Sequence, residues 1–186
     1  MNSMAYDNLE RTIRDILDRN NFINKKIDLS SMRQINPNIP VQDAFRIQVM
    51  SPPLQFSVEI VKPLPLKDFL FIAGRLNIGK EHLALINKLE MNKRLDLFDE
   101  IRIELTKRPP NFKFIEGPNV GVAGVECMTS VYISANEENL AKQLFLAMDE
   151  INKSFFLVII ILQRFLRQSG FNTNEKIQQD SKSFYQ

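Results

Sequence analysis

Cysteine, histidine and net charge are all scarce in this 186-residue chain, and each scarcity closes off a class of protein. Cys127 is the only cysteine, so no disulfide forms within the chain and a secreted, disulfide-stapled fold is excluded. It follows Val125 in an apolar stretch with no histidine or basic cluster beside it, which suits a small core residue rather than a reactive thiol. His82 is the only histidine. One imidazole and one distant thiol do not make a zinc site of the usual composition, and His82 is expected to face solvent on a helix. Lys and Arg number 24 against 22 Asp and Glu, a net of +2, so no global field recruits nucleic acid or an anionic membrane. The most apolar run, Phe155 to Leu162, is eight residues long, whereas a membrane span needs about 20. The first thirty residues hold Asp7, Glu10, Arg11, Arg14, Asp15 and Asp18 with no unbroken apolar segment, so no signal peptide is expected and the predicted location is cytoplasmic.

What is present is an ordinary globular balance, 44% hydrophobic and 25% charged. A chain of this length removes roughly 70% of its extended surface from water on folding, enough for a core without staples. Leu9, Ile13, Ile16 and Leu17 form the stripe of an amphipathic helix from Ala5 to Arg19. Glu10 with Arg14, and Asp15 with Arg19, stand four apart in the favourable order for its solvated face. Pro37 and Pro40 mark an extended loop after it, and Ile27 and Leu29 alternate enough for a short strand. Phe45, Ile47 and Val49, then Leu54, Phe56, Val58 and Ile60, alternate with polar residues around Ser51, Pro52 and Pro53, which predicts a hairpin. Phe69 to Ala73 is apolar throughout and reads as a central, better-covered strand. Leu83, Ile86 and Leu89, or Leu85 and Leu89, predict one short helix. Leu95, Phe98, Ile101 and Leu105 predict a second, stopped by Pro109 and Pro110. Phe112 and Phe114 alternate around Lys113. More strand follows within Val120 to Cys127 and Thr129 to Ile133, where Gly121 and Gly124 mark a bulge or weaken the strand. Asn136 is placed to cap a long helix, with Glu137 and Glu138 in its first turn and Gly170 at its end.

The predicted architecture is one α+β domain over residues 1–170. Its antiparallel sheet comes in the order helix, three strands, two helices, two to three strands, long helix, and a polar tail follows over 171–186. Motifs of catalysis are missing. Gly117, Gly121 and Gly124 match neither a phosphate loop nor a dinucleotide fingerprint, and no Ser-centred nucleophile elbow occurs. Asp96, Asp99, Glu100 and Glu104 crowd one helix side, where oxygen-ligand metal binding competes with the commoner reading of a charged surface. Lys107, Arg108 and Lys113, interleaved with Phe112 and Phe114, form a miniature of a base-stacking strand and are the alternative, nucleic-acid reading. No catalytic residue, cofactor or metal ligand is assigned.

The long helix carries the strongest functional signal. Leu144, Ile151, Phe155, Val158 and Leu162 share one direction, while Phe156, Leu157 and Ile160 lie on the opposite side beside Arg164. A helix apolar all round is normally covered on both sides. Covering those three side chains is worth on the order of 5 kcal/mol. Another helix of the chain or a second subunit can supply that cover. A homodimer interface at Phe156, Leu157, Ile160 and Arg164 is expected.

The hairpin from Phe45 to Ile60, the segment Val131-Tyr132-Ile133, and the run from Phe156 to Arg164 resemble an uncharacterised archaeal family. The element order resembles the type III secretion chaperone-like fold of YbjN-type proteins over roughly residues 5–168. That resemblance implies an α+β sandwich that dimerises and binds protein segments on its sheet or helix surface, and it transfers no catalytic residue. The expected function is a non-enzymatic protein-binding module, chaperone-like or adaptor, acting through apolar surface as a homodimer. A nucleic-acid accessory role and a small-molecule binder or enzyme without a recognisable motif are the alternatives.

Overall fold

A computed structural model describes residues 3–29, 43–51, 54–64, 66–117 and 121–171. The expected Pro37–Pro40 loop, the hairpin turn at Pro52 and Pro53 and the tail from residue 172 lie outside them. The elements are α1 (Ser3–Arg19), β1 (Ile23–Lys26), β2 (Asp43–Ser51), β3 (Leu54–Pro63), β4 (Phe69–Asn77), α2 (Lys80–Lys88), α3 (Met91–Thr106), β5 (Asn111–Ile115), β6 (Gly124–Tyr132) and α4 (Glu137–Gln168). Among the described residues this is a mixed α+β fold, four helices with an antiparallel six-stranded sheet in the order β1-β2-β3-β4-β6-β5. The chain forms two compact units, residues 1–74 with 128–149 and residues 75–127 with 150–186.

In the first unit β1, β2, β3 and β4 form an antiparallel meander, with Lys26 opposite Ile47, Val49 opposite Val58 and Ile60 opposite Ile72. Phe45, Ile47, Val49, Val58, Ile60, Leu70 and Ile72 are all buried, so the alternation in the sequence is the alternation of the pleat. α1 lies against β1 and β2 and buries Ile13, Ile16 and Leu17, and α4 buries Leu140, Leu144 and Met148. The short strand stands at Ile23–Lys26, upstream of the expected Ile27 and Leu29. Ile27 instead ends the pairing, its N–H donating to the Arg46 carbonyl at 2.9 Å.

Two helix ends are closed as their residues dictate. Asn21, at φ 60°, lets its own N–H reach the Asp18 carbonyl at 3.1 Å and the Phe22 N–H reach Leu17 at 3.0 Å. Gly170 does the same for α4, with Gly170 donating to Arg167 and Phe171 to Leu166, both at 3.0 Å. At the other end of α4 the Asn136 carboxamide accepts the Asn139 N–H at 3.1 Å, the expected cap.

The ion pairs of α1 differ from expectation. Glu10 is buried and takes Lys26 of β1 at 2.8 Å, Arg14 donates to Asn24 at 3.0 Å, and Arg19 pairs with Glu137. A pair four residues apart on one helix is worth only a few tenths of a kcal/mol. Partners brought up by β1 and α4 displace it.

In the second unit α2 buries His82 and Ile86, and α3 buries Leu97, Phe98, Ile101 and Leu105. His82 is 6% exposed, which corrects the expected solvent-facing position. The stripe of this short helix runs through 82, 86 and 89 rather than 83, 86 and 89, because the ring packs back over the helix start at Gly79. Leu95, expected in the stripe of α3, is exposed and Leu97 takes its place. The second strand group is two strands, β5 and one continuous β6.

Candidate functional site

The sheet of the first unit has a second face. Over much of β2 and β3 that face is polar and paired: Arg46 bonds Asp43 at 2.7 Å and Glu59 at 3.4 Å, and Gln48 donates to Ser57 at 3.1 Å. On β4 and β6 it is not. The Ile133 N–H donates to the Asp68 carbonyl at 2.8 Å, and this antiparallel link sets Tyr132 against Phe69, whose rings meet edge to face at 5.7 Å. Tyr132 is 55% and Phe69 40% exposed. Further along the same face stand half-buried Phe71 and Ala73, two and four residues on from Phe69 along β4, and exposed Met128, four residues before Tyr132 on β6 with exposed Ser130 between them. Val61, directly opposite Phe71 on β3, extends the patch.

This arrangement corrects one expectation and explains it. Phe69 to Ala73 reads as a central, better-covered strand. β4 is central in the strand order, yet its burial alternates: Leu70 and Ile72 are enclosed and Phe69 is not. A strand apolar on both faces belongs between two layers. The second layer is not supplied by the described residues of its own unit, and the surplus of apolar side chains is the candidate site.

The long helix contributes a second apolar point within the other unit. Ile160 is 58% exposed, while Phe156 and Leu157 are half-buried. Arg164 pairs with Glu100 of α3.

The remaining candidates are already engaged. Lys107 pairs with Glu104 at 2.6 Å and Arg108 approaches Glu150 at 3.9 Å. Lys113 and Arg75 both bond Glu126, at 2.9 and 2.8 Å. Burial opposes the Glu126 charge, but those two hydrogen bonds outweigh it and hold the carboxyl below its usual range. Phe114 packs edge-on against Phe112 and Phe98, both at 5.9 Å, with the Arg102 guanidinium over its ring. Asp99 pairs with Arg102 at 2.8 Å, Glu100 with Arg164 and Glu104 with Lys107, so three of the four α3 carboxylates face cations. Among the described residues no group of three or more His, Cys, Asp or Glu side chains is placed to hold a metal ion. No helix among them is long and apolar enough to cross a membrane.

Cys127 is buried, and burial, with the Glu126 charge beside it, pushes its thiol up to about 12. Its folded pKa lies above its ordinary value, so stability is unaffected below the ordinary value and falls as pH rises from there through the folded one, where the unfolded chain has already released the proton. At pH 8.5 native protein is expected to resist iodoacetamide, while protein unfolded in guanidinium gains one carbamidomethyl group by mass spectrometry. Rapid labelling of native protein would show the thiol to be accessible.

These features define an α+β protein with an apolar sheet face. The chain belongs to the uncharacterized conserved protein family DUF2299, whose profile matches residues 9–165. Its fold is similar to the crystal structure of an uncharacterized protein from Methanothermobacter thermautotrophicus, with a TM-score of 0.67 over 83% of this chain and 96% of that one, at 17% identity. No curated protein sequence matches it.

Proposed function

We propose that this chain is a non-enzymatic protein-binding module with a secretion chaperone-like fold, which takes an apolar segment of another protein on its open sheet face and pairs with a second copy through α4. The observation that carries the reading is the Phe69–Tyr132 pair, two large rings left uncovered on adjacent central strands. Covering what they expose is worth on the order of 5 kcal/mol. Association costs about 4–15 kcal/mol, so a docked segment must also cover Met128 and Phe71. The sheet edges are poor alternatives: β1 carries Lys25 and Lys26 and β5 carries Lys113, and edge lysines oppose strand addition. The two side chains best suited to proton or nucleophile chemistry, His82 and Cys127, are both buried, which supports a binding rather than an enzymatic role. For the homodimer, the support is Ile160, an exposed apolar centre with Lys153, Arg164 and Arg167 exposed on the same helix.

Two variants separate the surfaces. Sedimentation at 10–100 μM is expected to show a dimer for the natural chain and for Tyr132→Asp, and a monomer for Ile160→Glu. A protein captured from extract by the natural chain is expected to be kept by Ile160→Glu and lost by Tyr132→Asp. A natural chain that sediments as a monomer defeats the dimer, and capture indifferent to Tyr132→Asp defeats docking on the sheet.

A further inference from the structure

Lys62 is the one strongly basic side chain that β3 turns inward. It continues the alternation of Val58 and Ile60, stands opposite Phe45, and is 0% exposed. Burial lowers its pKa, and the nearby Asp68 carboxylate opposes that effect. Its Nζ donates to the carbonyl of Pro63 at 3.0 Å and to that of Leu66, and lies 5.4 Å from the centroid of the Tyr6 ring on α1. Two carbonyls and the face of an aromatic ring thus meet an ammonium with three N–H bonds to place.

One carbonyl ends β3 and the other lies in the short connection between β3 and β4. That connection exposes Leu64 and Leu66 and delivers the chain to Phe69, while the Asp68 carbonyl at its far end holds Ile133, next to Tyr132. An apolar side chain of similar length would fill the same space without the desolvation penalty of a buried charge, so the ammonium serves its acceptors. We infer that Lys62 is a positioning residue: its ammonium clamps the β3–β4 connection from inside and fixes how Leu64, Leu66 and Phe69 are presented to a docking segment. The inference rests on the reading of the sheet face as a docking surface, but the clamp can be measured without a partner.

Amide hydrogen exchange on the full chain at pH 7 tests it by comparing the natural protein with Lys62→Met. The expected result is exchange at least tenfold faster at Leu64, Leu66, Lys67 and Asp68, with peptides from α1 and β2 changed less than twofold. Unchanged exchange in the connection, or a uniform rise across the whole unit, would overturn the clamp. Should Lys62→Met fail to fold, nitrogen-15 NMR of the natural chain decides the matter. A separate, slowly exchanging ammonium signal from Lys62 at neutral pH is expected, and finding only the averaged signal of exposed lysines overturns the inference. Because neither readout involves binding, loss of the clamp and loss of the docking reading are told apart.

Discussion

Gly124→Ala is expected to lower stability by about 2–3 kcal/mol, the cost of forcing a methyl group into a filled space. A Cβ at this position would stand 2.3 Å from the Leu76 carbonyl oxygen, 3.2 Å from Asn77 Cα and 3.2 Å from Ile115 Cδ1. The first two are backbone atoms of β4, so relief requires the strands to part and sacrifices ladder hydrogen bonds. For a chain of this size the loss corresponds to a fall in melting temperature of roughly 4–12 °C, read by circular dichroism. Gly121 is the control. A side chain there meets nothing within 4 Å, and its φ of +78° costs an alanine only about 1–2 kcal/mol. Equal melting temperatures for Gly124→Ala and the natural chain would mean that β4 and β6 can move apart freely.

Phe155→Ala is expected to cost about 3–5 kcal/mol, because it removes a large ring from a position that is 0% exposed. Ile160→Ala, five residues on, is expected to stay within about 0.5 kcal/mol in the monomer. The contrast also tests the helix. Phe155, Val158 and Leu162 are buried at intervals of three and four, which a strand through Ile159, Ile160 and Ile161 would not allow. Urea unfolding at a protein concentration below any self-association reads both. Similar losses for the two variants would place Ile160 in the core.

The parts of the fold that could be read directly were those in which one periodicity runs unbroken and one face is buried. The β2–β3 alternation, the α4 stripe and the Asn136 and Gly170 ends all stand where local chemistry puts them. Helix α2 is different. Nine residues hold only about two and a half turns, so shifting the stripe by one position fits the leucines almost as well, and only packing sends His82 inward. The candidate site was half legible. The apolar run at Phe69 announced a central, better-covered strand; that one side would lack a cover within its unit was not contained in the run. Tyr132 gave no warning, since its exposure depends on being set against Phe69. Lys62 could have been found by continuing the period of two past Ile60, but an inward lysine is credible only once two carbonyls and a ring are seen to receive it.

By itself the amino-acid order determined which segments become helices and strands, because capping and hydrophobic period act between residues a few positions apart. It also determined that apolar surface would be left over. Which side chains are left outside, and which charges meet, was decided by the tertiary structure. Those outcomes hang on contacts between distant segments: Glu10 finds Lys26 rather than Arg14 only when β1 is laid beside α1.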